Sequence, residues 1–202
     1  IYTVKDTLSL HDALPISAAS MLRSAYGRRL PTAPPNALRA VDLQMAEAAY
    51  RLEGRFEDVE IIRAALLAGD GEEELTALAA QICGGLRDEA SLRTLAWIAT
   101  RNEPPSNEPA APAEVRMAAA TAIARMRPET APVRVMLTFV GSDGQTLRAQ
   151  AANGLGWFRA PEVLPTLARM LEDRSAMVQV AAAGAIVRAT AGAGGPMLGR
   201  GG

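Results

Sequence analysis

Hydrophobic residues recur every three to four positions along most of the chain, which is the spacing of one face of an α-helix. The segments VRMAAATAIARM (115–126) and LRAQAANGLGWF (147–158) show this pattern. It also occurs in EDVEIIRAALLA (57–68), EASLRTLAWIAT (89–100), TAPVRVMLTFV (130–140) and PEVLPTLARMLE (161–172). No run of β-branched residues alternates with polar residues, so the pattern predicts an all-α fold.

The predicted helices repeat at intervals of 31 to 40 residues. One apolar residue in each repeat serves as its anchor, and the five anchors are Leu43, Leu75, Val115, Leu147 and Val178. An alanine follows each anchor by five positions, which gives the alanine column Ala48, Ala80, Ala120, Ala152 and Ala183. Because small side chains let helices approach closely, this period indicates stacked helix pairs, in which a first helix carries the anchor and a second helix follows it.

The clearest repeats lie in DGQTLRAQAANGLGWFRAPEVLPTLARMLEDRSAMVQVAAAGAIVRA (143–189), which resembles the HEAT repeat in the short form of phycobilisome-lyase-like proteins. The resemblance covers residues 36–190 and is weakest in the first repeat. It implies a right-handed α-solenoid of about five helix pairs, with the second helices lining a concave binding face. The fifth repeat departs from the pattern, because AGAGGPMLGRGG (191–202) replaces its second helix. Since neither end shows a polar capping repeat, we expect the chain to be a piece of a longer solenoid.

The first sixteen residues are interpreted as a non-native leader. Back-translation of TLSLHDALPI (7–16) resembles the read-priming part of a DNA-sequencing adapter, and the residues before it fit the flank of the same adapter. Residues 1–16 are therefore left out of the functional argument. The remaining chain is predicted to comprise a linker or remnant of an upstream repeat (17–35), the repeat array (36–190) with a Pro-rich loop (101–113), and a Gly-rich tail (191–202).

Without the leader, the chain lacks the residues that several kinds of catalytic site require. The only histidine, His11, and the only lysine, Lys5, lie in it. Without them, Ser/His and Cys/His nucleophile pairs, Schiff bases and histidine-ligated zinc sites are all excluded. The single cysteine, Cys83, falls in an apolar column and is predicted to pack as a small hydrophobic residue. We therefore predict no enzyme activity, no catalytic or metal site, and no cofactor.

Net charge and hydropathy restrict the kinds of partner that the chain could bind. From Ser17 onward, twenty arginines balance twenty acidic residues. A neutral balance argues against a dedicated nucleic-acid binder, which is usually strongly basic. No apolar stretch is long enough to span a membrane. The composition does not determine the cellular compartment, and it favours the cytoplasm only weakly.

Arginines occupy one position in four successive repeats, twelve residues after the anchor: Arg55, Arg87, Arg127 and Arg159. This arginine column falls at the turn between the first and second helices. It could bind carboxylates or phosphates, cap the last carbonyls of the first helices, or pair with the acids two or three residues onward. Because the same residue recurs in every repeat, we interpret the column as structural.

A second group of residues is predicted to contact a partner. Aligning the second helices by their buried faces places Arg93, Trp97, Arg134 and Arg169 on neighbouring solvent-facing columns. Arginine and tryptophan often anchor interfaces, which favours a non-enzymatic scaffold that binds a protein or an acidic or extended peptide. The alternatives are that Trp97 fills the core beside a solvated arginine face, that the chain is an enzyme accessory or lyase-like HEAT protein, or that it is a regulatory piece of a larger protein.

Overall fold

The computed structural model describes residues 35–68, 71–101, 109–158 and 161–191, together with residues 18, 20–22 and 24, which are helical. The predicted leader, most of the linker, loop residues 102–108, Arg159 and the tail beyond Ala191 lie outside the described residues. The described part contains helices and no strand, so the predicted all-α fold is confirmed. Its α-helices are α1 (Pro35–Glu53), α2 (Phe56–Ala65), α3 (Glu73–Leu86), α4 (Leu92–Thr100), α5 (Ala113–Met126), α6 (Val133–Phe139), α7 (Gln145–Leu155), α8 (Leu164–Met170) and α9 (Ala176–Ala191).

Short 3₁₀ turns lead into three of the second helices. Glu89–Ser91 precedes α4, Pro128–Thr130 precedes α6 and Pro161–Val163 precedes α8. Proline suits the first turn of a helix because its missing N–H would have no intrahelical acceptor there. The prolines therefore help to set where the second helices begin.

The chain divides into two compact units, residues 1–86 and residues 87–202, which are described separately. In the first unit, α1 packs against α2 and α3, and α2 packs against α3. Leu43, Ile62 and Leu75 are among its buried residues. Gly54 ends α1 with a positive φ of 67° and donates from its N–H to the carbonyl of Tyr50 at 2.7 Å. Glycine adopts this left-handed conformation without a steric penalty, which lets the chain turn into α2.

In the second unit, the first helices pack in sequence, α5 against α7 and α7 against α9. The second helix α4 packs on α5, α6 packs on α5 and α7, and α8 packs mainly on α9. The largest fully buried side chains in this unit are Leu95, Met117, Val135, Met136, Leu155, Leu167 and Val178. Four of these, Leu95, Val135, Met136 and Leu167, belong to second helices, so these helices are held by apolar burial of one face.

Close packing between α7 and its neighbours depends on small residues. A Cβ added to Gly156 would lie 2.6 Å from the Cα of Ala185, and one added to Gly154 would lie 2.8 Å from the Oγ1 of Thr121. Real Cβ atoms do not approach so closely, so neither position has room for a side chain unless its neighbour moves. Small residues at the first-helix contacts are therefore a steric requirement.

The alanine column differs in burial from one described helix to the next. Ala80, Ala120 and Ala152 are fully buried, and Ala48 is half-buried. Ala183 is exposed, so the expectation that the whole column packs between helices is wrong for α9. The physical reason is that no described helix lies on that side of α9. Cys83 is fully buried in α3, in agreement with a packing role.

Candidate partner-binding surface

The candidate arginines lie on the exposed faces of three second helices. Arg93 belongs to α4, Arg134 to α6 and Arg169 to α8, and all three are exposed. The opposite faces are buried, and the residues concerned are Leu95, Ile98, Val135, Met136, Leu167 and Met170. Burial of one side of each helix therefore directs these three guanidinium groups to solvent.

Trp97 lies one helical turn after Arg93 on α4, so the two residues share one face. Its side chain is 42% exposed, which makes Trp97 a surface residue rather than a core residue. The guanidinium carbon of Arg101 stands 5.0 Å from the centre of the Trp97 ring. This cation–π contact holds the exposed indole from one side.

The three candidate arginines carry no carboxylate partner among the described residues. No hydrogen bond or ion pair joins Arg93, Arg134 or Arg169 to one another within that part of the chain. Near Arg134, the side chain of Leu137 is exposed, and the hydroxyl of Thr138 donates to the Arg134 carbonyl at 3.0 Å. Each of these three helices thus carries one arginine without a carboxylate partner in the described part of the chain, with exposed apolar area beside it on α4 and α6.

Two arginines of the arginine column, Arg55 and Arg127, have a different environment. Nη2 of Arg127 donates to both carboxylate oxygens of Glu89 at 2.8 and 2.9 Å, and Nη1 lies 4.0 Å from Glu129. The hydrogen bond to Glu89, followed by the charge of the same carboxylate, raises the pKa of Arg127. Arg55 lies 3.5 Å from Glu57, and Arg87 closes α3 with a left-handed φ of 56°. Arg159 lies outside the described residues. Arg55 and Arg127 therefore each pair with an acid at the turn between a first helix and a second helix.

A largely buried ion pair in the second unit joins Arg148 to Asp173, and the sequence argument missed it. Nε donates to Oδ2 at 2.8 Å and Nη2 donates to Oδ1 at 2.9 Å. Nη1 also donates to the carbonyls of Ser142 and Asp143 at 2.8 and 2.9 Å. The Arg148 side chain is 7% exposed and that of Asp173 is 15% exposed. One buried guanidinium therefore ties the turn before α7 to the turn before α9.

These contacts also change the acidity of Asp173. The hydrogen bond from Arg148 lowers its pKa from 3.8 to about 2, and the bond from the backbone N–H of Ser175 acts in the same direction against the effect of burial.

The sequence did contain a signal for this contact, because arginine directly follows the anchor in two consecutive repeats, as Arg116 and Arg148. In α9 the same position holds Gln179, whose amide donates to the Asp173 carbonyl at 2.7 Å.

A second missed feature lies ten residues after the anchor in three consecutive repeats. This position holds Arg125 in α5, Trp157 after α7 and Arg188 in α9. The guanidinium carbons of Arg125 and Arg188 stand 5.1 and 5.6 Å from the centre of the Trp157 ring. Nη2 of Arg188 also donates to the side-chain oxygen of Asn153 at 3.0 Å. This arginine–tryptophan–arginine group links three repeats through cation–π contacts.

Searches for other kinds of site were negative within the described part. No group of three or more His, Cys, Asp or Glu residues there could hold a metal ion. None of the helices in that part is long and apolar enough to cross a membrane.

Comparison with known proteins gives one family match. The family model for HEAT repeats matches residues 107–187, a segment that contains α5 to α8 and most of α9. No curated protein shows a significant match to the chain. HEAT-repeat folds generally act as non-enzymatic scaffolds for protein partners.

Proposed function

We propose that this chain, of which residues 107–187 match the family model for HEAT repeats, is a protein-interaction scaffold that binds an acidic, extended peptide segment across its second helices. The partner-binding surface consists of Arg93, Trp97, Arg134 and Arg169. The observation that carries the proposal is that these three arginines are exposed without a carboxylate partner among the described residues.

The contrast with other arginines of the same unit supports a binding role. Arg127 and Arg148 each bind a carboxylate of the chain in two hydrogen bonds. In these two cases the chain supplies the acid that the arginine binds. An exposed guanidinium with no such acid is free to make the same two-bonded contact with a partner.

Trp97 adds an apolar anchor at one end of this surface. Its exposed indole presents a large, rigid contact area, and Arg101 holds the ring from the other side. Tryptophan and arginine are the side chains that most often contribute binding energy at interfaces. A partner with an apolar residue near its acidic residues would use both types of contact.

Repeat spacing predicts the pattern of the bound peptide. The first helices α5, α7 and α9 pack in sequence, and packed helices lie about 10 Å apart, so we expect successive second helices to be offset by about the same distance. An extended chain advances about 3.3 Å per residue. A peptide that crosses α4, α6 and α8 would therefore meet successive arginines about every third residue. We infer that the recognised segment carries acidic residues at that spacing.

The test uses fluorescently labelled peptides of equal length in which Glu, Lys or Ser occupies every third position. The Glu peptide is expected to bind the chain, with an affinity that falls as salt rises because the contacts are exposed. Arg93→Glu/Arg134→Glu/Arg169→Glu should weaken this binding by about tenfold or more. The matched control, with the same change in net charge, is Arg39→Glu/Arg51→Glu/Arg55→Glu, which replaces three exposed arginines that already have acid partners.

Equal binding of the Glu and Ser peptides would overturn the proposal. So would an unchanged affinity for the Glu peptide in the triple variant, provided that circular dichroism shows the same helical content. A loss of affinity in the control variant as large as that in the triple variant would indicate a general charge effect and would also contradict the proposed surface.

A further inference from the structure

Trp97 and Arg101 form a close pair at the end of α4. The guanidinium carbon of Arg101 stands 5.0 Å from the centre of the indole ring. The backbone N–H of Arg101 donates to the Trp97 carbonyl at 2.8 Å, which fixes Arg101 where α4 ends. Because the indole is 42% exposed, a guanidinium and an apolar surface lie side by side at this end of the partner-binding surface.

The Arg101 side chain forms no hydrogen bond and no ion pair within the described part of the chain. Its Nε is buried without a hydrogen-bond acceptor. The Nη groups also lack an acceptor there, but they are not buried. Since a carboxylate binds an arginine through two parallel N–H groups, Arg101 presents to solvent the donors that such a contact requires.

Later repeats use the position of Arg101 to hold the chain together. This position lies six residues after the central buried residue of each second helix, and it holds Arg101, Ser142 and Asp173 in successive repeats. The central buried residues are Leu95, Met136 and Leu167. The Ser142 carbonyl and the Asp173 carboxylate both accept hydrogen bonds from Arg148. Arg101 makes no such contact, so in α4 the position is not used to join described repeats.

The proposed scaffold function is the premise of a further contact: we propose that Arg101 is a fourth arginine of the peptide site and binds a carboxylate of the partner, while Trp97 packs against an apolar side chain beside it. Side chains two positions apart in an extended peptide lie on the same side, about 6.6 Å from each other. This separation is close to the 5.0 Å between the guanidinium carbon and the ring centre. The recognised segment therefore has an apolar residue followed two positions later by a carboxylate, which belongs to an acidic side chain or to the C-terminus of the partner.

The charge of α4 favours this contact. No acidic residue lies in α4, so a carboxylate bound at Arg101 meets no repulsion from this helix. Arg93 stands eight residues before Arg101, which is about 12 Å along a helix axis. The two guanidinium groups are therefore far enough apart to bind separate acids of one partner.

A purely structural role for Arg101 makes a different prediction. A cation at the C-terminal end of a helix interacts favourably with the helix dipole, and the stacked guanidinium supports the indole ring. Both effects would change the affinity for every peptide that contacts Trp97 to the same extent. Only a direct contact with Arg101 makes the affinity depend on the carboxylate of the peptide.

Fluorescence anisotropy with the full chain and three labelled peptides tests the inference. Each peptide carries Glu at every third position and is extended by Leu-Ser-Glu-amide, by Leu-Ser-Gln-amide or by Leu-Ser-Gln with a free C-terminal carboxylate. At least one of the two added carboxylates should raise the affinity about threefold or more over the Leu-Ser-Gln-amide peptide. The comparison of the two also shows which kind of carboxylate is bound.

Substitutions of Arg101 show whether this preference depends on its guanidinium. Arg101→Gln should abolish the preference, and Arg101→Lys should keep part of it, because lysine retains the charge but not the paired N–H groups. The matched control is Arg174→Gln, which removes an exposed arginine after α8 and should leave the preference unchanged.

Equal affinities for the three peptides would overturn the role of Arg101. The scaffold function would stand in that case if Arg93→Glu/Arg134→Glu/Arg169→Glu still weakened the binding of all three. A preference that persists in Arg101→Gln would also overturn the contact, as would an equal loss of affinity for all three peptides in that variant. Absence of binding by every peptide would contradict both the scaffold function and the contact with Arg101.

Discussion

Arg148 and Asp173 join two consecutive repeats through two parallel hydrogen bonds, of 2.8 and 2.9 Å. The same guanidinium also binds two carbonyls of its own turn. Such a planar, two-bonded contact fixes orientation as well as distance. The pair therefore sets how the turn before α9 lies against the turn before α7.

Asp173 should make the fold sensitive to acid. Its pKa is about 2 in the folded chain, below the ordinary value of 3.8. The ion pair thus contributes stability above the ordinary pKa and loses that contribution as the pH falls from about 4 towards 2. We expect Asp173→Asn to lower the Tm at pH 7 and the difference from the original chain to shrink as the pH approaches 2.

Thermal melts across this pH range measure the effect. Glu172→Gln is the matched control, because it removes a neighbouring exposed carboxylate. A Tm difference between Asp173→Asn and the original chain that stays constant from pH 7 to pH 2 would show that the pair does not stabilise the fold through its charge.

The alanine column provides a test of the repeat register with an internal control. Ala152 is fully buried, and Ala183 holds the same repeat position but is exposed. Ala152→Leu should overpack the space between helices and destabilise the fold by about 1–3 kcal/mol. Ala183→Leu should leave the free energy of unfolding nearly unchanged, because Ala183 is exposed. Urea denaturation gives both values, and equal effects at the two positions would contradict the assigned register.

The arginine–tryptophan–arginine group should contribute measurably to stability. Replacing Arg125 or Arg188 with Met keeps much of the side-chain volume but removes the cation from the face of Trp157. Each substitution is expected to cost about 0.5–1 kcal/mol in urea denaturation. Arg93→Met, which removes an exposed arginine with no such ring contact, serves as the control. If Arg125→Met and Arg188→Met lower the free energy of unfolding no more than Arg93→Met does, the contacts with Trp157 do not stabilise the repeats.

The N-terminal leader gives a simple further prediction. Residues 1–16 lie outside the described residues, and we interpret them as non-native. A chain that begins at Ser17 should therefore keep its helical content and its Tm within about 2 °C, which corresponds to at most about 1 kcal/mol for a chain of this size. A larger fall in Tm would mean that the leader contributes to the fold.

The helix pairs could be predicted from sequence because local spacing determines them. The anchors and the alanine column report which face of each helix is buried, and residues 115–126 and 147–158 are helical over most of their lengths as expected. The exposure of Ala183 could not be predicted in this way. Its surroundings in the sequence match those of Ala152, and only the neighbouring helix distinguishes the two.

Contacts between repeats were harder to predict for a similar reason. Arg148 and Asp173 are 25 residues apart, and Arg127 and Glu89 are 38 apart. Local spacing indicates that each residue lies at a turn but does not identify its partner. The sequence did show that the arginines of the arginine column occupy the same repeat position, twelve residues after the anchor. It did not reveal that Arg127 would be neutralised by Glu89 while Arg134 would have no carboxylate among the described residues.

The most direct test of the proposed scaffold function is a charge exchange at Arg134, the central arginine of the partner-binding surface. A double-mutant cycle compares the original chain and Arg134→Glu with two peptides, one with Glu at every third position and one with its central Glu replaced by Lys. The account predicts that each single change weakens binding and that the two together restore much of the affinity, since the exchanged charges attract again. Additive losses, with no recovery in the doubly changed pair, would contradict a direct contact between Arg134 and an acidic partner.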